Sequence, residues 1–261
     1  MKITPHEYDF GAAIEGVDLS ASLTEAQTMR IREAWLRHRV VYFPDQTMSH
    51  DQLEAFSQTI GPFGDDPYVQ AIDGHEHIVE VRREADEDVP LFGGTWHSDW
   101  SFQKTPPNAT ILHAKVIPPV GGGTHYADGV RAYQNLDPVL QAELDHLSAI
   151  HSARKPYSHA GVKAGGGDRR SMTLLPSDDA LKTQLHPLVR THPETGQKAL
   201  WVNPLYTIGI DGLADAESDQ MLARLFDHMK QPEFVYCHHW RPNMLMIWDN
   251  RCVTHSAQGG Y

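Results

Sequence analysis

Apolar and polar positions follow two rhythms along this chain. In "SLTEAQTMRIREAWLRHR" (22–39), Met29, Ile31, Trp35 and Leu36 recur roughly as one helical face, behind a capping-box pattern of Ser22 and Glu25. The β-branched and aromatic run "VVYF" (40–43) predicts a strand stopped by "PDQ". Ser49 and Gln52 then cap a second helix, "SHDQLEAFSQTIG" (49–61), closed by Gly61. From residue 77 onward the period shortens. Apolar or alternating runs at 77–84, 109–118, 187–193, 198–203, 233–240 and 244–250 predict short strands between Pro and Gly turns, the pattern of a sandwich or barrel. Two helices interrupt them, 136–147, with Asp137 as N-cap and Pro138 at the first helical position, and 215–229.

One segment fits neither rhythm. Residues 152–184 contain "AGVKAGGGDRR" and the basic residues Arg154, Lys155, Lys163, Arg169 and Arg170. A loop of this length is either a solvated insertion or a lid, here one that would cover a site for an anion. No repeat or linker divides the remainder, so a single domain over 1–261 is expected.

Composition narrows the function classes. The chain is 40% hydrophobic and 21% charged, enough for a core under a soluble surface. A net charge of −12 argues against nucleic acid, whose phosphates are met by Lys and Arg. No stretch approaches the roughly 20 apolar residues that span a bilayer, and the first residues carry no signal-peptide core. A cytoplasmic protein without membrane contact is expected, with Cys237 and Cys252 reduced, and a homo-oligomer is compatible with all of this.

The chemistry begins at "GGTWHSDWSF" (93–102). On a strand, residues i and i+2 share a face, so His97 and Asp99 would aim into one cavity. An imidazole and a carboxylate suit a divalent metal, and a second histidine would complete a facial triad that leaves half the coordination sphere open. A lone His-x-Asp also arises by chance, so a third ligand has to be found. Near the end, "NMLMIWDNRCVTHSA" (243–257) is a strongly apolar strand followed by a polar turn and His255.

"WHSD" (96–99), "GGGT" (121–124) and "WDNRCVTH" (248–255), in that order and separation, resemble the family of taurine dioxygenase and 2,4-dichlorophenoxyacetate dioxygenase. "RHRVVYFPDQ" (37–46), "TPPNATILHAKVIPPVGGGT" (105–124), "HPLVRTHPETGQKALWVN" (186–203) and "QPEFVYCHHW" (231–240) extend the likeness over most of the chain. The resemblance implies a mainly β fold with flanking helices, a double-stranded β-helix of the jelly-roll, cupin-like kind. It implies iron(II) held by His97, Asp99 and His255, with 2-oxoglutarate and dioxygen as cosubstrates. Thr124 takes the place of the threonine that binds a carboxylate of 2-oxoglutarate, although Gly121 to Gly123 also make a simple tight turn.

The implied reaction hydroxylates an unactivated C–H bond of a small organic anion, such as a sulfonate, sulfate ester or aryloxyalkanoate, and releases succinate and carbon dioxide. Asp99 as ligand favours hydroxylation over halogenation, which in related enzymes needs a small residue there. Tyr68, Trp96, Trp100, Asn203 and Tyr206 could line the substrate pocket, although each of the aromatics is more often core than contact. Gly93 stands where taurine dioxygenase has a polar substrate-binding residue, which argues against taurine itself. The family also has an arginine about ten residues after the last metal histidine, gripping the far carboxylate of the keto acid. The sequence ends at Tyr261, so that arginine and a closing strand are expected beyond it. Arg251 is not its substitute, since the family uses that position structurally. Two other readings stay open, a non-catalytic jelly roll that binds a metal or keto acid, and a zinc hydrolase built on the same three ligands.

Overall fold

The computed structural model describes residues Met1–Tyr261. In chain order it has β1 (Lys2–Pro5), β2 (Ala12–Glu15), α1 (Glu25–His38), β3 (Val40–Phe43), α2 (His50–Ile60), β4 (Ala71–Ile72), β5 (His75–Val79), β6 (Ala109–His113) and β7 (Thr124–Asp128). Next come α3 (Gly129–Gln134), α4 (Pro138–Leu144), β8 (Ser148–Ser152), α5 (Arg154–Tyr157), α6 (His159–Ala164), β9 (Thr183–Pro187), β10 (Val189–Thr191) and β11 (Lys198–Leu200). The last are β12 (Thr207–Ile210), α7 (Asp215–Met229), β13 (Val235–His238), β14 (Leu245–Asp249) and β15 (Val253–Ala257). Strands dominate, with helices around them, and no helix is long and apolar enough to cross a membrane.

The largest sheet has five strands in the order β1-β2-β3-β14-β6, antiparallel except for the β2–β3 pair. Its central strand shows why "MLMIW" is apolar at every position. Leu245 and Ile247 join Ile31, Trp35, Val41, Phe43 and Phe56 in a core under α1 and α2. Met246 and Trp248 point the other way and meet Tyr126 and Val253 of a three-stranded sheet, β13-β7-β15. A strand buried on both faces loses the polar alternation of a half-exposed one. After β14 the chain turns at Asp249–Cys252 and crosses into the second sheet as β15. A further core holds α3, α4 and α7 against β8, β10 and β11.

Several boundaries differ from expectation for definable reasons. Helix α1 is capped by Thr24 with Gln27, not by Ser22 with Glu25. Both pairs satisfy the capping-box spacing, and starting at Thr24 leaves Leu23 to pack on the core below. The pairs Ser49–Gln52 and Asp137–Pro138 cap α2 and α4 as expected, and α7 spans 215–229. The 77–84 run keeps strand pairing only through Val79.

Residues 152–184 are not a plain loop. They form α5, α6 and 3₁₀ turns at Gly167–Arg169 and Asp178–Leu181, and they bury Ala153, Tyr157, Met172 and Ala180 beside Tyr68 and Tyr206. Pieces this short fall below any periodicity window. Four basic residues there bond to the chain itself, Lys155 to the Pro204 carbonyl, Arg169 to Asp88, Arg170 to the Pro90 and Gly165 carbonyls and Lys182 to Asp179.

Candidate active site

His97 and Asp99 do not lie on a regular strand. His97 forms a single antiparallel bridge to His255, and Asp99 opens the turn that follows. The bridge is a two-way backbone clamp, with His97 N donating to the His255 carbonyl at 2.9 Å and His255 N donating back at 2.7 Å. Side chains extend it on both flanks. The Ser98 hydroxyl donates to the Val253 carbonyl at 2.6 Å and the Ser256 hydroxyl to the Gly94 carbonyl at 2.8 Å. Residues far apart in sequence are thereby laid edge to edge, and the two imidazole rings sit 4.2 Å apart.

Ligand atoms of His97, Asp99 and His255 all lie within 4.8 Å of one another. Asp99 Oδ1 is 3.3 Å from His97 Nε2 and 3.8 Å from His255 Nε2, separations a single divalent cation could bridge. Two of these side chains, His97 and Asp99, are oriented from behind. His97 Nδ1 donates to the Thr95 carbonyl at 2.8 Å, which leaves the Nε2 lone pair facing the other two ligands. The Thr110 hydroxyl donates to Asp99 Oδ2 at 2.6 Å, and Asn250 in turn donates to Thr110 at 2.8 Å. Burial pushes the Asp99 carboxyl up, but the imidazoles and Thr110 outweigh it and hold the group at about 2. Burial and His97 pull His255 down to about 3, which favours the neutral imidazole that a divalent metal would need.

The turn after Trp248 divides its labour. Asn250 reaches Asp99 through Thr110, while Asp249 faces away and accepts from Arg251 Nε and Nη2 at 2.8 and 2.7 Å and from His192 at 3.0 Å. Arg251 also donates to Glu194 and lies over the Trp35 ring. His192, Asp249 and Cys252 cluster closely enough to suggest a second metal, yet both Asp249 oxygens are already engaged by Arg251 and His192. Cys237 and Cys252 are both unpaired.

The remaining sequence candidates fall in different places. Thr124 begins β7, is buried, and accepts a hydrogen bond from Trp240 Nε1 at 3.0 Å. Its rung pairs with Ala257, two residues past His255 on the neighbouring strand. Tyr206 presents its edge to His97 at 6.1 Å and packs on Phe102 and Tyr157. Tyr68 stacks on Tyr157 at 4.8 Å, so it joins the same aromatic group. Asn203 is buried with its amide already used, donating to the Ser101 hydroxyl and accepting from Tyr206 N. Trp96 borders a crevice with Phe226 and Met229 of α7, and Trp100 sits in the turn with φ 47°. Thr110, Ser98 and Tyr157 carry no sequence signal of their own. They are found only through what they touch.

Residues 2–261 match the family model described as "Taurine catabolism dioxygenase TauD, TfdA family". The chain belongs to that family. It is 35% identical to the (S)-phenoxypropionate/alpha-ketoglutarate-dioxygenase of Sphingobium herbicidovorans, over 98% of this chain and 88% of that protein. It is 31% identical to the alpha-ketoglutarate-dependent sulfate ester dioxygenase of Pseudomonas putida, over 96% of this chain and 82% of that protein. The crystal structure of a taurine dioxygenase from Burkholderia xenovorans superposes with a TM-score of 0.82 at 32% identity, covering 99% of this chain and 82% of that one. The chain is thus an α-ketoglutarate-dependent dioxygenase, an enzyme that uses iron(II), 2-oxoglutarate and dioxygen. Among these relatives neither the zinc hydrolase nor the non-catalytic reading finds support.

Proposed function

We propose that the enzyme has the double-stranded β-helix of its family as one domain, holds iron(II) through His97, Asp99 and His255, and hydroxylates an aryloxyalkanoate. The observation that carries the metal assignment is the convergence of two imidazoles and one carboxylate with ligand atoms within 4.8 Å, His97 and Asp99 being fixed from behind by hydrogen bonds. Two histidines and one carboxylate leave open positions for a bidentate keto acid and a gas molecule. Ferrous iron bound there supplies the activation of dioxygen that couples decarboxylation of 2-oxoglutarate to hydroxylation. The protein's own part is to orient and to exclude water. Thr124 holds a carboxylate of the keto acid, and Thr110 keeps Asp99 anionic and pointed at its partners.

Two features favour an aryl substrate. Tyr206, Phe102, Tyr157 and Tyr68 form a continuous aromatic wall that begins edge-on to His97. Offset or edge contacts of this kind are worth about 0.5–1.5 kcal/mol per aromatic pair. Gly93, at φ +69°, lies where a Cβ would come within 3.5 Å of His97 Cε1. Its lack of a side chain keeps that contact position beside His97 free. The Sphingobium relative, named for phenoxypropionate, agrees with that preference. Residues 152–184 contribute Tyr157 and act as the lid over this wall.

Hydroxylation at the carbon bearing the ether oxygen gives a hemiketal or hemiacetal. This breaks its C–O bond to release a phenol and a 2-oxo acid, the hydroxyl proton passing to the phenolate. A panel of aryloxyalkanoates, alkyl sulfonates and sulfate esters, followed by succinate release and phenol formation, tests the assignment. Aryloxyalkanoates should give the highest kcat/KM with phenol equal to succinate; a clear preference for a sulfonate or sulfate ester would refute it.

A further inference from the structure

The inner face of the three-stranded sheet carries a donor that the reaction as described does not use. On the β13–β7 ladder, Thr124 is opposite His238 and Tyr126 is opposite Tyr236. Residues paired across a ladder project from the same face. Trp240, two residues past His238, bonds to Thr124 and packs edge-on to the His238 ring at 4.7 Å. His238 is 3% exposed, its Nδ1 lies 2.8 Å from the Tyr236 hydroxyl, and its Nε2 is buried with no partner.

Counting hydrogen bonds assigns the tautomer. If Tyr236 donates to Nδ1, Nε2 carries the proton and is the one unsatisfied group. The reverse arrangement strands both the phenol proton and the Nε2 lone pair. Burial, with His6, His239 and Arg241 nearby, holds the ring neutral at about 3. The result is a fixed N–H donor beside Thr124, and a buried unmatched donor costs about 1–3 kcal/mol until an acceptor meets it.

We propose that His238, fixed as the Nε2–H tautomer by Tyr236, binds 2-oxoglutarate, donating with Thr124 to the carboxylate remote from the keto group. This rests on the metal and keto-acid reading above. The metal end of the keto acid belongs at His255, which is opposite Tyr126. Thr124 lies two residues further along β7, a rise of about 7 Å, and His238 lies opposite it one strand farther from His255, so only the far carboxylate can reach them.

Calorimetric titration of the Mn(II)-loaded protein with 2-oxoglutarate, and with 2-oxobutyrate, which lacks the far carboxylate, tests it. His238→Leu should weaken 2-oxoglutarate about 10-fold or more, because hydrogen bonds to charged groups are the strong ones. His238→Gln, which keeps a donor near the Nε2 position, should restore most of the affinity. Tyr236→Phe, which leaves the imidazole but frees its tautomer, should cost about fivefold and carries the test if the leucine variant does not fold. Affinities for 2-oxobutyrate and for Mn(II) should not change. Unchanged 2-oxoglutarate affinity in His238→Leu or Tyr236→Phe overturns the role, as does an equal loss for both keto acids, which marks a packing effect. A wild type that binds no 2-oxoglutarate at all overturns the keto-acid reading itself, and this inference with it.

Discussion

Asp99 shows how much of a candidate metal ligand is set by its neighbours. It is buried, which disfavours its charge, yet Thr110 and the two imidazoles hold the carboxyl at about 2. Thr110→Val should therefore leave the fold intact and weaken Mn(II) binding roughly 10- to 100-fold, the usual cost of losing a partner behind a ligand. Unchanged affinity would show that Asp99 needs no such support. His97, Asp99 and His255 could be read in the sequence as candidates because their motifs have fixed residue types at fixed spacing. Thr110 was not. It sits in an ordinary strand run, "ATILH", and gains its meaning only when β6 pairs with β14 and brings Asn250 alongside. Asn203 was legible as a polar residue near the site, but not the fact that Ser101 and Tyr206 use its amide.

Helix ends and turns decide how firmly those residues are held. Thr24→Ala should lower stability by about 1 kcal/mol in urea unfolding, whereas Ser22→Ala should have no effect, because Thr24 caps α1. The reverse ranking would restore the cap read from the sequence. The Asp249–Arg251 turn matters more. Removing one partner of a buried, hydrogen-bonded pair costs about 3–5 kcal/mol, so Asp249→Ala should lose stability on that order. Burial pushes the Asp249 carboxyl up, but Arg251 and His192 more than offset it and leave the value below the ordinary carboxylate range. A depressed carboxyl contributes stability above its unfolded value and loses it as pH falls through the folded one. The stability difference between wild type and Asp249→Asn should accordingly shrink below about pH 4. A gap that stays constant down to pH 2 would contradict the pairing. Long, strongly patterned elements such as α7, β3 and β14 were readable because periodicity and burial agree in them. The pieces between 152 and 184 were not, since helices of four to six residues leave no pattern.

Two sheets facing each other across Tyr126, Met246 and Trp248 form the frame in which distant motifs meet. Strand content was visible in the short apolar runs, and the family likeness implied how they close. The clamp of residues 93–98 on β15 lay outside both, because it depends on backbone hydrogen bonds that no side-chain pattern announces. This meeting point is the proposed metal centre. Calorimetric titration of Mn(II) into the wild type, Asp99→Ala and His255→Ala, with circular dichroism as a check on folding, measures that directly. One ion per chain in the wild type, and none in either folded variant, is the expected result. Variants that bind the ion as tightly as the wild type would contradict it.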